Sequence, residues 1–391
     1  MAYENESNKC KASGMTRRRF VKLGAATGAV VALAGLSACG AGSNASASSA
    51  AANSASASAM ASSAATSDQS VASVASGASA AFGSSGASGS PESTSAASSA
   101  AASGSEPLVY FVRSVDTQAL AAVFAALGKG LSGNVGVKLS SGEPGGNHYL
   151  QPSLIEGLVH DVKGTIVECN TAYGGRRTST EAHYQVAAEH GFTGIADFQI
   201  MDEEGSASLP VSGGFHLQED LVGAHFADYD SFLVLSHFKG HQMAGFGGAL
   251  KNISIGMASR EGKLLIHSAG ANRTSWQSAP TAEFLESMAD ACQAVLTAQP
   301  NMLFVNVMNN LSVDCDCDSS PAPPKMADIG ILASADPVAL DQACVDLVYS
   351  SNDDSADLIA RIESRDGQHV LEAAEKLGLG SRAYELVELS S

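Results

Sequence analysis

Asp230-Ser231-Phe232-Leu233-Val234-Leu235-Ser236-His237 is the stretch on which the fold reading turns. It is a short apolar run opened by an acid and closed by Ser-His, and it reads as a buried strand rather than one face of a helix. Working outward, similar runs occur at 108–112, 134–139, 165–168, 196–200, 302–307 and 329–333. Segments with helical spacing lie between them. One covers 117–127 and stops at Gly128, and another is entered through Pro152 and covers 153–159. Others cover 179–189, before His190-Gly191, and 282–298. Asp336-Pro337 places an N-cap and a first-turn proline at the start of a helix running through Tyr349. Residues 355–388 read as two short helices and a final strand. Strand–loop–helix alternation of this kind predicts an α/β fold. The expected architecture is a mainly parallel sheet with flanking helices, as one large or two closely packed α/β domains over 107–391, with a sub-boundary near 229.

The first 106 residues belong to neither element type. Thr16-Arg17-Arg18-Arg19-Phe20-Val21-Lys22 precedes an uncharged Ala/Gly/Val/Leu stretch that ends in Leu36-Ser37-Ala38-Cys39-Gly40. A basic start, a short apolar middle and small residues before a cysteine predict a twin-arginine export signal over 1–39, with Arg17 and Arg18 as the pair. Cys39 would be the lipidated first residue of the mature chain. The expected address is extracytoplasmic, anchored to the cell membrane, with the twin-arginine translocase as a partner. That route carries folded proteins, often with a cofactor already loaded. Residues 40–106 are almost entirely Ala, Ser and Gly and read as a disordered tether, reaching about 45 Å as a flexible coil.

The 391 residues carry 40 Asp+Glu against 22 Lys+Arg, a formal charge of −18. Such acidity argues against nucleic acid and against peripheral binding to anionic lipid. Beyond the leader, the cysteines are Cys169, Cys292, Cys315, Cys317 and Cys344. An odd number at irregular spacing does not suggest a disulfide framework. Cys292 and Cys344 sit in apolar helical patterns and are expected in the core.

In open parallel sheets ligands gather at the carboxyl ends of strands. Four loops in that position carry polar groups, and each yields candidates. Glu143 follows the strand at 134–139, and Glu168 and Asn170 lie at or after the strand at 165–168. His237, Lys239 and His241 follow the opening stretch, ahead of Gly245-Phe246-Gly247-Gly248-Ala249-Leu250-Lys251-Asn252. His237 and His241 are four apart, so on a helix they would share a face, as metal ligands often do; in a loop they would flank Lys239. The glycines could expose N–H groups to an anion, with Lys251 adding charge. The spacing differs from a phosphate-binding P-loop, and a tight packing turn fits as well.

Asp314-Cys315-Asp316-Cys317-Asp318 sets two thiols among three carboxylates. On a strand the thiols would face one way. Adjacent carboxylates should raise thiol pKa values, whereas a bound cation would hold thiolates and acids together. Metal or cluster ligation, a disulfide or redox pair, and an inert acidic turn are the readings open here. A metal site would need His237, His241, His216 or Cys169 to close it.

From Asp230 to Lys263 the chain resembles, in order and nearly without gaps, the family catalogued as domain of unknown function 362. Further matches are Gly142-Glu143-Pro144-Gly145-Gly146-Asn147-His148, Val167-Glu168-Cys169-Asn170-Thr171-Ala172-Tyr173-Gly174-Gly175, Gly213-Gly214-Phe215-His216-Leu217, and residues 313–318 and 328–347. Many relatives carry a ferredoxin-like insert with cysteines for two four-iron four-sulfur clusters, after the segment corresponding to 264–267. Here that position reads Ser268-Ala269-Gly270-Ala271-Asn272-Arg273-Thr274-Ser275-Trp276, without cysteine. The resemblance therefore does not extend to those clusters.

The function expected is a metal-dependent or redox-associated enzyme acting on a small anionic substrate. His237, His241, Cys315 and Cys317 would be metal ligands. Lys239 and Lys251 would orient the substrate, Glu168 or Glu143 would move protons, and Gly247, Gly248, Asn252 and Asn170 would line the ligand site. A tethered binding protein without turnover and a scaffold of a membrane redox complex are the alternatives.

Overall fold

The computed structural model describes residues 18–22 and 105–390. In chain order the elements begin with β1 (Arg18–Lys22), β2 (Leu108–Val112), α1 (Thr117–Ala126), β3 (Val135–Lys138), α2 (Pro152–Asp161), β4 (Thr165–Glu168), α3 (Thr180–Glu189) and β5 (Phe198–Ile200). A hairpin of β6 (Ser206–Pro210) and β7 (Glu219–Gly223) follows. Then come β8 (Ser231–His237), β9 (Lys239–His241), β10 (Gly245–Gly247), α4 (Ala249–Ser254), α5 (Arg260–His267), α6 (Thr281–Ala298) and β11 (Met302–Met308). The chain closes with β12 (Gly330–Ser334), α7 (Pro337–Tyr349), α8 (Ala356–Ser364), α9 (His369–Lys376) and β13 (Tyr384–Glu388).

The main sheet runs β1-β13-β2-β12-β11-β8-β3-β4-β5. All pairings are parallel except those of β12, which runs antiparallel to both β2 and β11. The mainly parallel α/β expectation holds. Because β3 pairs directly with β8, one sheet continues across residue 229.

β8 shows why the opening stretch is uniformly apolar. Leu233 and Leu235 join Val137, Ile166 and Val305 in a core with α1 and α2 on one face of the sheet. Phe232 and Val234 face the other way, into a core with Phe304, Leu332 and residues of α4, α6, α7 and α9. A strand covered on both faces has no polar side to alternate. Cys292 and Cys344 are fully buried in the second core, as their patterns implied. Asp336 caps α7 by accepting from the Val338 and Ala339 amides at 2.9 Å, with Pro337 in the first turn. The tail forms as two helices and a strand.

Two sequence readings change. His237 closes β8 and His241 closes β9, so the helical option for this pair is overturned. Residues 315–318 form a turn instead of a strand, because the Asp318 amide closes back on the Cys315 carbonyl at 2.9 Å. Of the leader, Arg18 falls in β1, parallel to β13, while Arg17 and Cys39 lie outside the described residues, as does nearly all of the 40–106 tether. Among the described residues no helix is long and apolar enough to cross a membrane.

Candidate functional site

The carboxyl ends of β3, β4 and β8 bring Lys138, Glu168 and His237 to one end of the sheet. The loop after β11 is drawn over them by two backbone bonds, from Gly240 N–H to Ser312 O (2.8 Å) and from Glu143 N–H to Asp316 O (2.8 Å). Gly240 permits the approach: a Cβ there would sit 2.3 Å from the Val313 carbonyl oxygen. Between loop and sheet lies a cavity of about 460 Å³. Its walls include His241, Cys315 and Cys317, with Lys138, Lys239, Lys251, Lys263 and Arg177 around them.

His241, Cys315 and Cys317 present ligand atoms within 4.8 Å of one another. The two thiols respond in opposite directions. Cys315 is held well below the usual thiol range, first by a hydrogen bond from Cys317 and then by Lys251 and His241, against the opposing effect of burial. Cys317, as that donor, is pushed well above it. The flanking carboxylates were expected to raise both, but Asp314 and Asp316 are each turned to a cation, while Asp318 accepts from the Ser320 amide at 2.8 Å. Asp314 faces Arg361 (3.4 Å), and Asp316 accepts from Lys239 (2.6 Å) and His237 (2.9 Å). Burial alone would raise Asp316; the His237 and Lys239 charges hold it well below the carboxylate range.

His237 therefore stands beside the cluster and not in it. Its Nδ1 donates to Asp316 and its Nε2 to the Asn309 carbonyl at 2.6 Å, leaving neither nitrogen for a metal. His241 closes the site instead. Burial, with Lys251 next in weight, pushes its pKa down to about 4, so the ring is neutral. Its Nδ1 accepts from the Met243 and Ala244 amides (3.2 and 3.0 Å), which puts the ring proton on Nε2. His216 is elsewhere, bonded to Glu286 at 2.7 Å. Cys169 lines the cavity, but its thiol donates to the Met257 carbonyl, and burial first of all pushes its pKa to about 12.

Glu168 and Glu143 hold Arg177 rather than exchanging protons. The guanidinium, 3% exposed, donates to Glu143 (2.8 Å), Glu168 (3.2 Å) and the Tyr173 hydroxyl oxygen (2.9 Å). Burial would raise Glu168, but its bond with His183 and the charges of His183, Arg177 and Lys138 hold it well below the carboxylate range. A carboxylate so stabilised is a poor base near neutrality. Asn170 turns away from the cavity, donating to Thr180 Oγ1 at 2.9 Å. Asn252 lines it, but its amide nitrogen ties the β3 and β8 ends together through Lys138 O (3.2 Å) and Ser236 Oγ (3.0 Å).

Gly247 and Gly248 also line the cavity without forming an anion nest. The first free amides of α4, those of Ala249 and Leu250, are already taken by the buried Asp341 carboxylate at 2.8 and 3.0 Å. Lys251 is different: its ammonium has no hydrogen-bond or ion-pair partner among the described residues.

Lys138, Lys263, His267 and Trp276 were not singled out from the sequence, yet all line the cavity. Lys138 carried one readable signal, a charge at the end of an apolar strand. Lys263 and His267 lie on one face of α5, whose first amide, that of Arg260, donates to Asp202 at 3.0 Å. Trp276 sets its ring against His267, with centroids 4.7 Å apart.

Comparison with curated protein sequences gives no match. Among solved structures, the lactate racemase apoprotein from Thermoanaerobacterium thermosaccharolyticum aligns at 15% identity and TM-score 0.40, over 62% of this chain and 57% of that one. A structural-genomics protein from Thermotoga maritima aligns at 11% identity and TM-score 0.37, over 66% and 58%. This chain thus spans less than two thirds of either protein. The profile of the domain of unknown function DUF362 matches residues 135–346, more than half of the 391-residue chain, and the chain belongs to that family.

Proposed function

We propose that this protein is a membrane-tethered extracytoplasmic enzyme that uses a thiolate-bound metal to act on a small anionic substrate. The observation that carries the reading is the convergence of His241, Cys315 and Cys317 on the wall of a lysine-lined cavity. Two sulfurs and an imidazole suit a thiophilic ion such as zinc, with one coordination position left toward the cavity. The metal would neutralise the thiolates and polarise a substrate oxygen. Lys251, lacking a partner of its own, would hold the substrate's negative charge. The export signal and Cys39 supply the proposed address, with the twin-arginine translocase as partner.

A second reading is favoured by the His241 tautomer. With Nδ1 engaged by two backbone amides, Nε2–H is a donor to the Cys315 thiolate, and a metal at Nε2 must displace that proton. The same residues then make a metal-free thiol pair, with Cys315 as nucleophile and Cys317 as its partner.

Metal content decides between them. The exported protein is expected to hold one equivalent of metal, and Cys315→Ser with Cys317→Ser is expected to lose it while remaining folded. A metal-free protein whose Cys315 is alkylated rapidly at pH 7 would establish the thiol reading instead.

A further inference from the structure

Of the four large apolar side chains exposed among the described residues, Trp276 is the most open, at 47%, and the one that lines the cavity. Single apolar residues on a surface are ordinary. A half-open indole on a cavity wall is different, because part of its surface belongs to the space a ligand would fill.

The loop that carries the ring is fastened at both ends. Asn272 Oδ1 accepts from the Thr274 and Ser275 amides (2.9 and 3.1 Å), and the Asn272 backbone amide donates to Ser268 Oγ (2.8 Å). Beyond the tryptophan, the Ala279 amide donates to the His267 carbonyl at 2.8 Å. His267 also joins the indole to the core. Its ring stacks on Phe284, itself 1% exposed, with centroids 4.7 Å and planes 25° apart, and meets Trp276 at 4.7 Å. Its Nδ1 donates to the Lys263 carbonyl at 2.6 Å, and burial pushes its pKa down to about 3, so it backs the indole as a neutral ring. A platform already ordered loses little freedom when a ligand settles on it.

Met243 and Ile255 line the same cavity. Its lysines account for a charge on the ligand, but a short aliphatic acid or an inorganic anion would leave these three side chains against water. The cavity, about 460 Å³, falls within the roughly 300–1,000 Å³ of sites that take drug-sized ligands. A flat ring suits such walls best. An aromatic plane stacks on indole where a puckered ring cannot, and a thioether such as that of Met243 favours aromatic edges.

Resting on the small-anion reading of this cavity, we propose that its ligand is an anion carrying a planar aromatic ring, and that Trp276, by stacking on that ring, selects it over an aliphatic acid. The experiment titrates the exported full chain with two matched pairs, benzoate against cyclohexanecarboxylate and phenylacetate against cyclohexylacetate, and with uncharged benzyl alcohol. Calorimetry and the emission of the chain's one tryptophan read the binding.

The expected result is that at least one aromatic acid binds about fivefold or more tighter than its saturated partner, the scale of one stacked pair, and changes the Trp276 emission. Trp276→Leu, followed by calorimetry, should bring that ratio to within about twofold, while Trp276→Phe keeps part of it. A merely structural role would weaken both members of a pair alike and leave the ratio unchanged. A ratio near one for both pairs, or one that survives Trp276→Leu, overturns the proposal and leaves the small-anion reading standing. Benzyl alcohol bound as tightly as benzoate overturns that reading and the proposal with it, since the ligand would then need no charge. No binding of any probe overturns both.

Discussion

Replacing Arg177 by methionine removes the one cation shared by two buried carboxylates. In the folded protein the Glu143 and Glu168 side chains are 6% and 5% exposed. After the change Glu143 keeps the Tyr173 hydroxyl at 3.0 Å, and Glu168 keeps the Ser141 amide at 2.5 Å with His183 at 3.7 Å. Neither carboxylate is left bare, so the loss should match that of one broken buried pair and not two, about 3–5 kcal/mol. At about 2–4 °C per kcal/mol for a domain of this size, Tm should fall by roughly 10 °C. Urea unfolding at pH 7 reads the free energy directly. The pH dependence gives an independent sign. Glu168 is held below its unfolded pKa, so its contribution is present above about pH 4.3 and is lost as pH falls toward the folded value. The deficit of Arg177→Met relative to wild type should therefore shrink below about pH 4. A loss under about 1 kcal/mol at pH 7, or a deficit that widens in acid, would refute the ion-pair account.

Asp341 titrates the other way. Burial raises its pKa to about 6, so stability falls as pH rises through that value, by roughly 3 kcal/mol for a shift of this size. Asp341→Asn should shrink the slope in urea unfolding between pH 4 and 7, leaving the part due to Asp220, which burial raises to about 7; an unchanged slope would refute the Asp341 assignment. Gly240→Ala drives a Cβ against the Val313 carbonyl and should cost about 1–3 kcal/mol by overpacking. Because the same contact seats the Cys315 loop, metal retention should fall with stability. Wild-type metal content in a destabilised Gly240→Ala would show that the loop is held by other contacts.

The sheet was readable because its strands are covered on both faces, which leaves continuous apolar runs such as Phe232–Leu235 and the β11 strand. The small hairpins were not, because β9 and β10 are rich in glycine and polar residues and exist through packing against α8 and the Cys315 loop. In the site, Cys315, Cys317 and His241 were legible as residue types with metal-ligand chemistry. Their partners were not. Nothing local distinguishes His241, whose Nδ1 meets two amides, from His237, whose nitrogens are spent on Asp316 and Asn309. The acids of the Cys-x-Cys turn looked like neighbours that would suppress the thiolate. The cations that engage Asp314 and Asp316 arrive from β8, β9 and α8, at distances of 47 to 79 residues along the chain. Lys138 and Lys263 were missed for the same reason: a lysine without a partner looks like any surface lysine until the fold encloses it.

The proposed address and the proposed centre constrain one another. Outside the membrane, a reactive thiol pair two residues apart is exposed to oxidation into a disulfide, and Cys315 is the more vulnerable because its environment favours the thiolate. A metal bound through both sulfurs removes that hazard, since the lone pairs that would attack an oxidant are already donated. It has to be bound before the chain leaves the reducing compartment, and the loop carrying Cys315 must already be seated on Gly240 and Glu143 for the ligands to meet. Both requirements demand export in the folded state, which is what a twin-arginine signal provides and a route for unfolded chains does not. The metal-free thiol reading reverses the logic: oxidation would then be the chemistry itself, and folded export would be unnecessary. Placing the same chain behind a signal for unfolded export therefore separates the readings: a metal enzyme would emerge empty and inactive, whereas a metal-free thiol enzyme would be as active by either route.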